Sequence, residues 1–192
     1  RCLKTKLIKM GTQKFMRDWC MTGNTLSSHE GESRSNRLSR IILDKVDTKT
    51  KLFSFNQIVK NYHTYKPETD IVGRCINWLI RKEDDGEIIG AIGVGSSVMA
   101  MKDRDDYIGW NKEQRLRNIT KTATNWRFCL MEKGYGSRVL SVFLKEAKKE
   151  WKKKFKENLV LIETLIEPPY TGSCYKGNGW ILVGKTKGCQ FE

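Results

Sequence analysis

Residues 162–185 read IETLIEPPYTGSCYKGNGWILVGK, and the order of apolar and polar pieces in them decides the fold class. The apolar run that begins at Leu159 carries a carboxylate at Glu163 and breaks at Pro168-Pro169. Pro168 has no amide hydrogen and biases Glu167 away from helical angles, so the first apolar segment ends there as a strand. A short polar turn from Tyr170 to Lys176 follows. Gly177 and Gly179 permit backbone angles that other residues resist, which predicts a sharp re-entry into a second strand at Trp180. The pattern is strand, polar corner, strand. A strand ending in a carboxylate beside hydroxyls and amides is how many α/β sites are built, and also how ordinary sheet edges look.

Bulk composition narrows the function classes. At 192 residues with 39% hydrophobic content and six tryptophans, the chain has material for one packed domain with a small appendage. No run approaches the roughly 18–20 apolar residues of a membrane span, and no stretch resembles a signal peptide. The first residue is Arg1, as expected of a fragment or processed piece. A formal charge of +14 points to a polyanion as partner, whether DNA, RNA or an acidic surface, or to lysines that serve solubility alone. The six cysteines are scattered with no Cys-x-x-Cys pair, and His29 and His63 are the only histidines, so no metal site is assigned. Cysteines in that arrangement fit a reducing cytoplasm better than a disulfide framework.

Residues 1–50 differ from the rest and are expected to form a basic N-terminal arm, with residues 51–192 as the α/β domain. In the arm, residues 4–20 read as a short basic helix followed by a flexible linker. Arg34, Arg37 and Arg40 recur at helical spacing, suited to a phosphate backbone or to a solvated face. From Phe53 onward the pattern is globular: FNQIVKNYH predicts a helix with Phe55, Ile58, Val59 and Tyr62 inward and His63 at its end. Two apolar runs, VGRCINWLIRKE and EIIGAIGVGSS, flank Asp84-Asp85-Gly86, a strong hairpin signal. Gly90, Gly93 and Gly95 thin the second strand and imply close approach by a ligand or a neighbouring backbone. Asp103, Asp105 and Asp106 crowd around Arg104, either to gather a divalent cation or to pair with arginines in a turn. Asn111 is placed to cap a short helix, and Trp126 to Leu130 reads as a buried strand.

The following helix has the clearest period. Leu140, Phe143, Leu144, Ala147, Trp151 and Phe155 fall on one side at intervals of three and four, with Lys148, Lys149, Lys152 and Lys156 mostly opposite. Gly134, Gly136 and Ser137 precede it and offer backbone amides at the positive end of the helix dipole, a place for a phosphate or simply a helix start.

These residues together resemble the DruA family of Druantia anti-phage defence proteins, from about Asn61 through Gly188. The resemblance is carried by Tyr62-His63, the VGRCINWLI strand, Arg104-Asp105 leading to Ile108-Gly109-Trp110, and Asn118. It continues through Asn125 to Phe128, Ser137 to Leu140, Glu163-Thr164, the corner Tyr170 to Lys176, Asn178, Trp180, and Gly184 to Gly188. The chain departs from the family pattern at Glu167, where an aspartate is expected, and at Glu132-Lys133-Gly134, where the pattern has a proline-rich turn; it also lacks a basic tail. The resemblance implies a role in defence against phage, with DNA and other defence subunits as partners. A second resemblance, to GNAT-type acyltransferases, rests on the Gly134-x-Gly136 helix start and on Tyr175 to Trp180 before the last strand. It implies a GNAT-like sheet in which Gly134, Gly136 and Ser137 would hold the pyrophosphate of acyl-coenzyme A. Met131 stands where those enzymes carry arginine or glutamine.

The expectation is therefore an α/β domain with a mixed, GNAT-like central sheet behind a basic N-terminal arm, helical or flexible, acting in the cytoplasm as a nucleic-acid-binding component of a defence or mobile-element system. Lys148, Lys149, Lys152, Lys153 and Lys156 would neutralise phosphates together with Arg34, Arg37, Arg40, Arg127 and Lys176. Trp110, Trp126 and Trp180 are the stacking candidates for a single strand. Two enzymatic alternatives stand beside it. In an acyltransferase, Glu163 would act as base and Tyr175 as acid; in a metal-dependent nuclease, Asp103, Asp105 and Glu163 would act together. No cofactor is assigned.

Overall fold

The computed structural model describes residues 5–10, 39–63 and 73–185. Its strands in chain order are β1 (Thr5–Met10), β2 (Ile41–Lys45), β3 (Cys75–Lys82), β4 (Ile88–Ser96), β5 (Thr122–Leu130), β6 (Leu161–Ile166) and β7 (Ile181–Lys185). The helices are α1 (Lys49–Tyr62), α2 (Lys102–Ile108), α3 (Lys112–Asn118), α4 (Gly136–Phe155) and α5 (Ser173–Lys176). The strands form one seven-stranded sheet in the order β2-β3-β4-β5-β6-β1-β7. Neighbours are antiparallel except β5 and β6, which run parallel. A parallel pair needs a long crossover, and α4 supplies it.

Local chemistry explains the parts that the sequence predicts well. Asp84-Asp85-Gly86 turns β3 into β4, with Gly86 at φ 72° and its amide on the Lys82 carbonyl. Asn111 caps α3: its side chain accepts from the Gln114 amide while the Gln114 side chain accepts from the Asn111 amide. The α4 face of the sheet holds the main core, with Trp78, Ile80, Ile92, Phe143, Ala147 and Trp151 all fully or almost fully buried. The opposite face carries a smaller core in which Phe55 and Ile58 of α1 pack on Leu79, Ala91 and Cys129. Gly93 makes that packing possible: a Cβ there would lie 2.3 Å from Asn77 Oδ1 and 3.5 Å from the Phe55 ring. The close approach inferred for the glycine strand is met at this position by a side chain of the protein itself.

Four expectations change. Residues 5–10 form a strand, not the start of a basic helix, and β1 sits between β6 and β7. Leu7 and Ile8 are both fully buried, one on each side, as a strand covered on two faces requires. The basic stretch 4–20 reads as a helix by itself, but pairing with β6 and β7 decides the structure of residues 5–10. Tyr62 is exposed because it ends α1, while Phe55 and Ile58 carry the inward face. The three aspartates Asp103, Asp105 and Asp106 all lie within a helix, α2, not in a turn. The corner holds the one-turn helix α5, and the left-handed angles fall at Gly172 (φ 72°) and Gly179 (φ 70°), with Gly177 at an ordinary −61°. At Gly172 a Cβ would also lie 2.5 Å from Ile166 Cδ1.

Candidate nucleic-acid interface

The site is built on α4, which crosses the sheet from α5 to β2. Val139, Leu140, Phe143, Ala147 and Trp151 are 0% exposed and fix the helix's underside. The opposite side presents Arg138, Lys145, Lys149, Lys152 and Lys156, all exposed, at steps of seven, four, three and four residues. Those steps keep one azimuth on a helix of 3.6 residues per turn. Residues 136–156 hold eight Lys and Arg against two Glu, a net of +6 out of +14 for the chain. Of the two acids, Glu150 is buried and paired with Lys45, whose hydrogen bond outweighs burial and lowers its pKa. Glu146 reaches Lys149 at 3.3 Å. Among the described residues, Lys145, Lys152, Lys153 and Lys156 make no ion pair. Lysines in the last turn also complement the negative end of the helix dipole, and Lys156 closes the helix at φ 61°.

The first turn of α4 is packed by α5. The Asn178 amide donates to the Ser137 carbonyl (2.9 Å) and to Ser141 Oγ (2.7 Å), and Ser137 Oγ donates to the Cys174 carbonyl (3.4 Å). A Cβ on Gly136 would lie 2.9 Å from Cys174 Cβ. Gly136 and Ser137 thus adjoin α5, whose Lys176 is exposed at the helix end.

Glu163 lies on the other face of the sheet. Its carboxylate and the Arg104 guanidinium are both 0% exposed and meet at 3.1 Å. Thr124 Oγ1 (2.9 Å) and the Val98 amide (3.2 Å) also donate to Glu163. Arg104 donates further to Asp105 (2.9 Å) and to the carbonyls of Val98 (2.9 Å) and Met99 (3.3 Å), and Arg115 holds the second Asp105 oxygen at 3.0 Å. The structure therefore brings Asp105 and Glu163 together through Arg104. Asp103 points elsewhere, to Lys6, whose hydrogen bond lowers its pKa. Among the described residues no set of three His, Cys, Asp or Glu side chains is arranged to hold a metal ion. Sequence reading noticed Arg104 but not that it would be the centre of this network; a basic residue amid three acids was the available signal.

Tyr175 is on the α4 face, so Glu163 and Tyr175 are separated by the sheet. Strands β5 and β6 pair only from Thr122 to Thr124 opposite Leu161 to Glu163. Past that point, Thr164 Oγ1 donates to the Asn125 carbonyl (3.3 Å) and the Tyr175 hydroxyl donates to Asn125 Oδ1 (2.5 Å). The Tyr175 ring packs edge-on against Phe128 and Trp180, and burial pushes its pKa up. Asn125 also donates to the carbonyls of Gly93 and Arg127 (2.7 and 3.0 Å); the sequence reading gave this asparagine no role.

The remaining candidates are dispersed. Arg127 is 9% exposed on the α1 side, with its guanidinium on the Trp126 carbonyl. Arg40 is exposed before β2 and lies 3.8 Å from Glu83. Arg34 and Arg37 fall outside the described residues. Trp180 is buried, Trp126 is half-buried with its ring nitrogen on the Ser96 carbonyl, and Trp110 is half-buried. His63 ends α1, its amide on the Val59 carbonyl. Among the described residues no helix is long and apolar enough to cross a membrane.

The family model described as Druantia protein DruA matches residues 4–190, so the likeness extends well ahead of Asn61 and takes in β1 and β2. No curated protein matches the chain.

Proposed function

We propose a nucleic-acid-binding role for this chain, which belongs to the Druantia protein DruA family and so has a part in the Druantia anti-phage defence system. That system has several components, which makes its other subunits natural partners. The observation that carries the reading is α4: net +6 concentrated in residues 136–156, with the acids of that helix drawn off by Lys45 and Lys149. Exposed cations on a rigid line are what a polyphosphate needs, because neutralising phosphates releases condensed counterions. Lys148, Lys153 and Lys176 extend the line at its flanks. Arg127 stands apart on the other face, and Arg40 lies beyond the helix.

The test is anisotropy of labelled mixed-sequence DNA titrated with the full chain at low salt. The expected result is saturable binding that weakens by about tenfold or more in Lys149→Gln/Lys152→Gln/Lys156→Gln, a loss of ~1.4 kcal/mol or more. Binding equal to wild type in a triple variant with unchanged melting temperature would sink the assignment to α4.

A further inference from the structure

Resting on that reading, we infer that the α4 ridge takes the double helix by its phosphates alone, reading no bases, and is not a single-strand platform. The exposed line is Arg138, Lys145, Lys149, Lys152 and Lys156, with Ser137 and Ser141 at its start. Base edges in a major groove are read by forked side chains, Arg on guanine and Asn or Gln on adenine. This line has no Asn or Gln and a single Arg at one end. Lysine ammonium groups are point charges that find phosphate oxygens without regard to sequence.

Length and stiffness agree with a duplex. Arg138 to Lys156 spans about 27 Å at 1.5 Å per residue, a little short of one duplex turn of about 34 Å. The underside is locked by five side chains at 0% exposure and by the Lys45–Glu150 pair. A straight, rigid row of charges matches a stiff rod of phosphates better than a strand that must bend and unstack. Single-strand binders add exposed aromatic rings on which bases stack. The aromatic residues of α4, namely Phe143, Trp151 and Phe155, all pack toward the sheet. Of the exposed rings among the described residues, Phe53, Tyr62 and Tyr107 belong to α1 and α2 on the opposite face, and Tyr170 lies in the corner before α5, off the α4 line.

The experiment compares, by anisotropy with the full chain, two DNA duplexes of unrelated sequence, one RNA duplex and an oligothymidylate of equal length, each at several salt concentrations. The expected result is that the two DNA duplexes agree within about threefold and the oligothymidylate binds about tenfold or more weakly. With about five phosphates neutralised, affinity for the duplex should fall ~500-fold between about 50 and 200 mM salt. The salt slope should drop from about −4.5 to about −1 in the quadruple variant Lys145→Gln/Lys149→Gln/Lys152→Gln/Lys156→Gln. Preference for the DNA or the RNA duplex supports the inference and identifies the source of the phosphates. A single strand bound as tightly as the duplexes, or one sequence preferred about tenfold, overturns this inference and leaves nucleic-acid binding standing. Failure of all four ligands to bind at low salt overturns both.

Discussion

Replacing Arg104 of α2 by methionine should remove more stability than changing any exposed charged residue of the described chain. The guanidinium is 0% exposed and joins Glu163 at 3.1 Å, Asp105 at 2.8 Å and the carbonyls of Val98 and Met99. Methionine keeps much of the volume and none of the charge. Glu163 would then stay buried with only the Thr124 hydroxyl and the Val98 amide, while Asp105 would keep Arg115 at 3.0 Å. Breaking one partner out of a buried pair costs about 3–5 kcal/mol. Because both orphaned acids retain some donors, about 4 kcal/mol is the working figure, to be set against a total of about 5–15 kcal/mol for a domain. At about 2–4 °C per kcal/mol for a chain of this size, the melting temperature should fall by about 8–16 °C.

Guanidinium unfolding followed by tryptophan fluorescence measures it, and a second variant makes it decisive. Arg104→Met/Glu163→Leu removes both charges, so no buried carboxylate is stranded. It should recover about 2 kcal/mol relative to the sum of the two single losses. A single variant within about 1 kcal/mol of wild type, or a double variant equal to the sum, would refute the claim that Arg104 and Glu163 form one buried unit.

Two further outcomes are expected. Tyr175→Phe leaves Asn125 Oδ1 without its donor in a fully enclosed position, so unfolding free energy should drop by about 1–3 kcal/mol; no change would mean the phenol–amide bond is not made. Lys45→Met tests the anchor of α4 through pH. The Lys45 hydrogen bond holds Glu150 below its ordinary value of 4.5, so the pair's contribution is complete above that value and lost as pH falls through the lower folded value. The melting-temperature gap between wild type and Lys45→Met should therefore be constant from neutral pH down to about pH 5 and narrow steadily as pH falls below the ordinary carboxylate value. A gap that does not narrow at all as the solution is acidified would assign the effect to packing.

What could be read in the sequence was what is decided locally. The Asp84-Asp85-Gly86 hairpin follows from turn chemistry over three residues, and α4 from five turns of one apolar period. The Asn111 cap needs only Gln114, three residues on. Strand β1 was not legible, because its partners are the residues around Glu163 and Ile181, far along the chain, and nothing in KTKLIKM specifies that register. The centre of the buried network was hidden for the same reason: Arg104 and Glu163 are 59 positions apart. Glu163 was singled out as a carboxylate at a strand end. Its environment depends on which side of β6 it takes, and that is set by Thr124 and Ile8, its partners on β5 and β1.

The sheet sorts the charges of this protein by solvation, and that sorting links fold to function. On the α2 side, Lys6, Arg104 and Arg115 are matched by Asp103, Asp105 and Glu163. Cations held that way are committed to stability and have little field left for a ligand. On the α4 side the acids are few, one of them is buried, and the cations stand in water on an immobile helix. Solvated ammonium groups contribute little to folding beyond the dipole complement of the last turn and the weak Lys149–Glu146 pair, so the stability of the fold does not account for so many of them in one line. Neighbouring lysines repel each other weakly, and binding a phosphate rod relieves that repulsion while releasing its counterions. Folding and recognition thus draw on different charges, so the ridge can be stripped without unfolding the protein, and the Arg104 unit cannot be.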